Sequence, residues 1–585
     1  MNYRLNIADA SQQKEPIWKA LARLLPLMKG EGRKVIIAFG AILISSAVSL
    51  VAPLIIGYTV DHFIASKDYG GLALWSGILL VVYLVGLGSS YTQSRTMGGV
   101  GRRILFNLRN AIFNKLQELP VAFFNQNRSG DLISRINNDT DKLNQFFAQA
   151  LMQFLGNAFL ILGAGILLLV LNIRLGAAAL VPAALVLIAT QLLSGWVKRT
   201  SFKSLQTLGG LSGEIQESLA NFKVIVAFNR LDYFRQKFAG ANDANYSASI
   251  RAGIASNIFI PLYGLASNLG VMVVIAYGIY LITTGDITVG LLIGFLFYVN
   301  NFYNPLRQLA AIWSSLQLAL AGLDRISEVL ALNSDMPIVP AQPTGGHAVM
   351  AFKDVSFHYP DGQNVLKSVN LSLERGKTYA LVGPTGGGKT TTASLMARLY
   401  DPTAGTVLLD GKDIRSYEPS ERAQKIGFIL QEPFLFTGTV RDNILYGNAT
   451  ESGLTAEQLS AHLDAAGLSG LLARFDQGLD TKVSSSGDAM SLGQKQLIAF
   501  IRAALREPEI LILDEATANI DTVTEQLLEE ILKKLPATTT RVIIAHRLNT
   551  IENADEIYFV NGGEVTRAGS MESAVDMLMH GAVAS

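Results

Sequence analysis

Residues 383–391 read Gly383-Pro384-Thr385-Gly386-Gly387-Gly388-Lys389-Thr390-Thr391. This G-x-x-x-x-G-K-T spacing suits the holding of phosphates. Glycines let successive backbone N–H groups curl around an anion at the start of a helix. Lys389 has the reach for β- and γ-phosphates, and the Thr390 hydroxyl can ligate Mg²⁺. The required surroundings are also present: an apolar strand over 379–382 and a helical pattern over 391–399. A chance glycine-rich turn would have neither flank.

Further along, Ile510-Leu511-Ile512-Leu513 runs into Asp514-Glu515. The run reads as a buried strand ending in two acids. Asp514 would hold Mg²⁺ through water, and Glu515 would orient and deprotonate an attacking water. Many strands end in Asp as a turn initiator, so the pair gains weight only from the phosphate loop upstream. Ser491-Leu492-Gly493-Gln494 opens another helical stretch, offering a hydroxyl, backbone donors and a helix dipole to an anion. Taken alone it reads as an ordinary helix cap.

These groups need a soluble α/β body to position them, yet the composition describes something else as well. Half of the 585 residues are hydrophobic and 16% are charged, against about 25% charged in soluble domains. The deficit lies in the first 330 residues. Six uncharged stretches, 35–60, 69–94, 143–173, 175–197, 252–285 and 287–306, are each long enough to cross a ~30 Å hydrocarbon layer as a helix. Between the second and third lie Arg95, Arg102, Arg103, Arg109, Lys115, Arg128, Arg135 and Lys142. Between the fourth and fifth lie Lys198, Arg199, Lys203, Lys223, Arg230, Arg235, Lys237 and Arg251. This bias faces both basic segments, and both termini, to the cytoplasm. The segments are periodic and lack Pro/Gly clusters, so they are expected to continue as helices out of the membrane and turn back through a short helix. Trp18, Leu21, Leu25 and Met28 share one face of an expected interfacial helix.

A Pro/Gly-rich stretch over 335–347 separates the halves, and short strands with turns follow it. The chain has no cysteine, which excludes disulfides, thiolate metal sites and thiol nucleophiles. Its net charge of +1 supplies no field to recruit nucleic acid.

Met490-Ser491-Leu492-Gly493-Gln494-Lys495-Gln496 resembles the signature of ABC ATPases, usually Leu-Ser-Gly-Gly-Gln. It departs at Met490 and Leu492. Ser491 and Gly493 match the pair that in the family contacts the γ-phosphate, and Gln494 is kept. The other family elements come in order. Tyr359 is similar to the aromatic that stacks on adenine. Gln431 is similar to the glutamine that touches Mg²⁺ and the membrane domain. Ala518-Asn519-Ile520-Asp521 is similar to the D-loop, and His546 to the switch histidine at the γ-phosphate. Residues 123–135 and 213–228 resemble the two coupling regions of ABC exporters. Where exporters carry an acidic loop of the type Glu-x-Gly ahead of the signature, this chain has Ser484-Ser485-Ser486-Gly487-Asp488.

The resemblance implies an all-α six-helix transmembrane domain with long cytoplasmic helix extensions, followed by an α/β P-loop ATPase domain with a helical subdomain. The expected boundaries are 1–33 for the interfacial segment, 34–330 for the membrane domain, 331–348 for the linker and 349–585 for the ATPase. The implied function is an ATP-driven exporter subunit moving a hydrophobic or amphipathic substrate. Its cofactors would be ATP and Mg²⁺. Glu515, His546 and Gln431 would be catalytic, and Thr390, Gln431 and Asp514 would hold the metal. Tyr359, the loop from Gly383 to Thr391, Ser491, Gly493 and Gln494 would hold the nucleotide. One phosphate loop and one signature imply a second half-transporter, a homodimer in preference to a heterodimer. The expected location is a bacterial inner membrane, with membrane lipid as a partner and no nucleic acid. The alternatives are an importer on an exporter fold, as in siderophore uptake, and a nucleotide-gated membrane protein without net pumping. A soluble clamp on nucleic acid is set aside by the six apolar stretches. Asn257, Tyr263, Asn268, Tyr277, Tyr298, Asn300, Asn301, Tyr303 and Asn304 would either line a cargo cavity or serve as hydrogen bonds between helices.

Overall fold

The computed structural model describes residues 3–5, 26, 29–341, 345, 348–360, 362–448, 453–484, 490–514, 521–544, 554–569 and 571–580. Two compact units emerge. One joins Met1–Leu5, Glu118–Ser129 and Leu332–Ser585, and the other joins Asn6–Gln117 and Gly130–Ala331. The expected interfacial helix around Trp18 lies outside the described residues.

The apolar stretches fold as helices because a chain in hydrocarbon must satisfy its backbone polar groups internally. They are α1 (Gly32–Thr59), α2 (Tyr69–Glu118), α6 (Leu151–Leu171), α7 (Ile173–Ala220), α10 (Phe259–Thr283) and α11 (Val289–Ala331). Between them lie α3 (Val121–Gln126), α4 (Ser129–Ser134), α5 (Thr140–Gln145), α8 (Phe222–Ala227) and α9 (Leu231–Asn257). α2 has 50 residues, roughly 75 Å of helix at 1.5 Å per residue, more than twice the hydrocarbon core. The basic segments therefore do continue the spans, and the short α3 and α8 turn the chain back. Two π-helical segments, Arg135–Asp139 and Phe146–Ala150, join α4 to α5 and α5 to α6.

Among the described residues, five helical stretches are long and apolar enough to cross a membrane. α11 is not among them. Asn300, Asn301 and Asn304 dilute its apolar run, so a count of six is not shown. Several of the polar residues of the last two apolar stretches are used for packing. The Tyr298 hydroxyl donates to the Leu50 carbonyl (2.5 Å) and the Asn301 amide to Ser49 (2.9 Å), fastening α11 to α1. Tyr303 donates to Ala179 on α7 (2.8 Å), and the Tyr263 hydroxyl lies 3.2 Å from that of Thr190. At the base of the unit, buried Arg135 pairs with Asp131 (3.0 Å) and Glu328 (2.8 Å), while Arg325 pairs with Asp131 (2.6 Å) and Asp139 (3.2 Å).

In the other unit β1 (Met350–His358), β2 (Asn364–Leu373), β4 (Ala404–Leu409) and β5 (Lys412–Asp413) form a four-stranded antiparallel sheet in the order β2-β1-β4-β5, β7 (Gly438–Thr439) pairs with β8 (Lys482–Val483), and six further strands form a sheet in the order β12-β11-β3-β10-β9-β6. β6 (Ile426–Ile429), β9 (Ile510–Asp514), β10 (Thr540–Ile544), β3 (Thr378–Val382) and β11 (Glu556–Asn561) run parallel; β12 (Glu564–Arg567) is antiparallel at the edge. β9 is buried along its whole length, as expected of a central parallel strand covered on both faces. Leu497, Ile501, Leu511, Leu528 and Ile531 belong to one of its cores.

Candidate nucleotide site

In parallel sheets ligands bind beyond the carboxyl ends of the strands, and the expected residues gather there. Leu381 of β3 pairs with Ile544 of β10, and Ile544 pairs with Asp514 of β9. Ile429 of β6 pairs with Leu513, so the chain at Gln431 leaves the sheet at the same end. The phosphate loop follows β3 directly and opens α12 (Lys389–Met396).

The loop glycines are required by their surroundings. Gly383 has φ +147°, and a Cβ there would stand 2.0 Å from the Val560 carbonyl oxygen; one at Gly387 would stand 2.5 Å from the same atom. Gly388, with φ +116°, ends the loop as the cap of α12. The loop is thus a tight curl of backbone against the end of β11. Lys389 is buried and donates to the Gly383 carbonyl (2.9 Å) and the Pro384 carbonyl (3.1 Å), which holds its ammonium against the crown of the loop.

The Thr390 hydroxyl donates to the Asp514 carboxylate at 3.3 Å. Two residues separated by 124 positions thus meet beneath the loop, as a hydroxyl and a carboxylate must to share a hard cation with oxygen ligands. The donor set fits Mg²⁺, and the glycine curl with its lysine fits the phosphates of a nucleotide.

Tyr359 is half-buried and its hydroxyl lies 3.2 Å from that of Thr391. Its ring meets Phe357 edge-on at 4.9 Å and Tyr400 at 5.4 Å. Tyr400 accepts a hydrogen bond from Asn125 of α3 (2.6 Å). No motif announces Tyr400 or Asn125. Tyr400 follows α12 by a few residues, and Asn125 approaches it only through the fold.

Ser491 caps α13 (Leu492–Ala504), and it and Gln494 satisfy each other's backbone N–H groups in a capping box. Gln494 also donates to the Arg474 carbonyl (2.7 Å). Gly493 is buried against Thr524, whose hydroxyl would stand 3.0 Å from a Cβ there. Thr524 lies in α14 (Thr522–Lys534), capped by Asp521. Among the described residues, none of the hydrogen bonds of Ser491 and Gln494 runs to the phosphate loop of the same chain. Glu515, His546, Ala518, Asn519, Ile520 and the segment 485–489 lie outside the described residues, and Gln431 is exposed.

At the opposite end of the sheet, just before β9, Glu509 accepts from Lys425 and pairs with Arg375 (2.7 Å); Asp410 pairs with Lys425 (2.8 Å) and Arg375 (2.9 Å). Burial raises the Glu509 carboxyl, but hydrogen bonds from Lys425 and Arg375 outweigh it and hold the group below the usual range. Burial likewise works against the Lys425 ammonium, and its two carboxylate partners raise it overall. This cluster ties strands together far from the phosphate end.

Residues 35–306 match the family described as ABC transporter transmembrane region, and residues 366–518 match the one described as ABC transporter. Relatives align along nearly the whole chain. An uncharacterised ABC transporter ATP-binding protein of Bacillus subtilis is 34% identical over 98% of this chain and 93% of its own length. A fatty acid ABC transporter ATP-binding/permease protein of Mycobacterium bovis is 31% identical over 86% of this chain and 79% of its own. An ATP-dependent lipid A-core flippase of Syntrophus aciditrophicus is 28% identical over 94% and 91%.

Proposed function

This chain belongs to the ABC transporter family, and on that premise we propose that it is one half of an exporter that hydrolyses ATP to move a hydrophobic or amphipathic molecule across a bacterial inner membrane. Membership makes it an exporter-type, multi-pass membrane protein with an ATP-binding domain, from a family of half-transporters that generally work as dimers. The observation that carries the finer reading is the meeting of Thr390 with Asp514 beneath a glycine loop crowned by Lys389, in a chain whose other unit is built of apolar helices. An importing direction has no such support, since the relatives include a lipid flippase and a putative multidrug export protein of Bacillus subtilis.

Each residue then has a task. The loop from Gly383 to Thr391 and Lys389 bind the phosphates, and Tyr359 stacks on the base. Thr390, Asp514 and Gln431 hold Mg²⁺, which supplies neutralising charge to the phosphate oxygens. Glu515 accepts the proton of the attacking water, and His546 donates to the γ-phosphate. Ser491, Gly493 and Gln494 close over the loop of a second copy. α8 supports the dimer: Phe222, Val224, Val226 and Phe228 are exposed on it and at its end, an apolar tip that a second copy would cover. The phosphate loop, Glu515 and His546, all of competent residue types, favour a homodimer over a heterodimer. The ATPase unit and both termini are assigned to the cytoplasm by the basic segments.

The test is ATP hydrolysis by the purified chain in proteoliposomes, measured with a panel of lipids, drugs and peptides. Stimulation by one apolar class, absent in Lys389→Ala, is the expected result. A monodisperse protein that hydrolyses no ATP under any of these conditions would overturn the reading.

A further inference from the structure

Tyr263, Tyr298, Asn301 and Tyr303 of α10 and α11 are spent on helix packing, but the membrane unit has another polar feature. It lies where α2 parts from the helix running through α5, the second π-segment and α6. Along the cytoplasmic half of α2, Met97, Val100, Ile104 and Leu108 are buried. Arg109 bolts that half to Thr140 (3.3 Å) and Asp141 (3.0 Å). At Gly101 the two helices touch: a Cβ there would stand 2.7 Å from the Asn144 Oδ1 and 3.0 Å from the Ala148 Cβ. Beyond this point α2 splays away and Leu80, Leu84 and Leu87 are exposed.

The fork encloses a cleft of about 510 Å³, a size typical of small-molecule sites. α2 presents Gln93, Ser94 and Arg102 to it. The opposing helix presents Asn144, Gln149 and Gln153. Gln149 belongs to the π-segment Phe146–Ala150, and π-turns interrupt helices mostly where function needs a side chain re-aimed. Among the described residues, none of these six side chains has a hydrogen-bond or ion-pair partner, and the Asn144 Oδ1 is buried without one. Of these groups the Asn144 Oδ1 is the buried one, and a buried acceptor left unpaired is costly unless a ligand or water completes it; the exposed amides and Arg102 stand open to a ligand. None of the lining residues is acidic, and Arg102 is the one cation.

We propose that this cleft is the subsite for the head of an amphiphile bearing an anionic, hydrogen-bonding group such as a phosphate or carboxylate. Arg102 supplies the charge, and the amides of Gln93, Gln149 and Gln153 supply hydrogen bonds. Leu80, Leu84, Leu87 and Ser94 are spaced by four, three and seven residues, which puts them on one face of α2. An apolar tail leaving the cleft therefore has an apolar track along the same helix. The proposal rests on the exporter reading and narrows its cargo to amphiphilic anions, drawn either from the bilayer or from solution.

The test is calorimetric binding of dodecyl phosphate to the nucleotide-free, full-length protein in phosphatidylcholine nanodiscs, with neutral dodecyl glucoside as the comparison. Dodecyl phosphate should bind more tightly. Arg102→Gln should weaken it about tenfold, the loss of one charge-assisted hydrogen bond, and Arg102→Lys should restore most of the affinity. Gln149→Ala combined with Gln153→Ala should weaken both ligands. These side chains are exposed at the cleft, so elution as a single species confirms the fold of each variant. Phosphatidylglycerol added to the nanodisc should compete if the head comes from a bilayer lipid, and should leave binding unchanged if the ligand is a free amphiphile. Equal affinity of wild type and Arg102→Gln, or equal binding of the two dodecyl ligands, would overturn the proposal. Because nucleotide is absent, that outcome is separate from failure of ATP hydrolysis, which would instead strike at the exporter reading.

Discussion

Lys389 and Tyr359 show how single side chains are poised before any ligand arrives. Lys389 is held by two carbonyls of its own loop, so its ammonium needs little ordering when it takes a phosphate partner. Lys389→Ala should abolish measurable ATP hydrolysis while leaving the purified protein monodisperse; near-normal turnover would remove the lysine from the site. Tyr359 presents its ring while its hydroxyl contacts Thr391. Tyr359→Phe loses only that contact and should be mild. Tyr359→Ala should weaken nucleotide binding by about 1–3 kcal/mol, the range of stacking on a base, and equal affinities of the two variants in a fluorescent-nucleotide titration would exclude stacking. Glu515→Gln keeps the shape of the side chain but removes its ability to take a proton. Hydrolysis should fall about a hundredfold or more while nucleotide stays bound. Loss of binding instead would make Glu515 structural.

At the scale of elements, the parallel sheet has a chemical end and a structural end. The loop, Asp514 and Gln431 stand at the first, and the cluster of Arg375, Asp410, Lys425 and Glu509 at the second. Because the Glu509 carboxyl is held below its ordinary value in the folded protein, its contribution is full above the usual glutamate range and is lost as pH falls through the folded value. Lys425 is raised, so its contribution is present at neutral pH and is lost only as pH rises through its folded value. Glu509→Gln should therefore lower stability at neutral pH by about 1 kcal/mol, a charged hydrogen bond discounted for partial exposure. The difference should begin to shrink as pH falls past the usual glutamate value and vanish once pH lies below the depressed folded value. Denaturant melts of both proteins across that range check this; a difference that persists unchanged in acid would show that packing, not charge, ties β6 to β9.

The whole molecule leaves its signature helix and its phosphate loop without a mutual hydrogen bond among the described residues, and leaves the tip around α8 apolar and exposed. A second copy resolves both. The purified chain should weigh as a dimer in detergent. Phe222→Asp with Phe228→Asp should cost about 2 kcal/mol or more of docking free energy, lowering ATP turnover while each protomer still binds nucleotide. Turnover at the wild-type level in that variant would place the contact elsewhere.

What was legible in the chain alone is what neighbouring residues decide among themselves. The curl from Gly383 to Thr391, the strand ending at Asp514 and the cap at Ser491 are local patterns. Long uncharged runs announce helices because hydrocarbon permits little else. The fold alone decided everything that joins distant segments. The Val560 carbonyl that forces Gly383 and Gly387 to be glycines, the reach of Asn125 to Tyr400, and the meeting of Thr390 with Asp514 all depend on strand order, which no local spacing encodes. Tyr298, Asn301 and Tyr303 looked equally suited to cargo or to packing, since a side chain's type does not say which helix it will face. The backbone carbonyls of Leu50, Ser49 and Ala179 settled the matter. Gln93, Gln149 and Gln153 passed unnoticed for the same reason: they become a cleft only where α2 and α6 diverge.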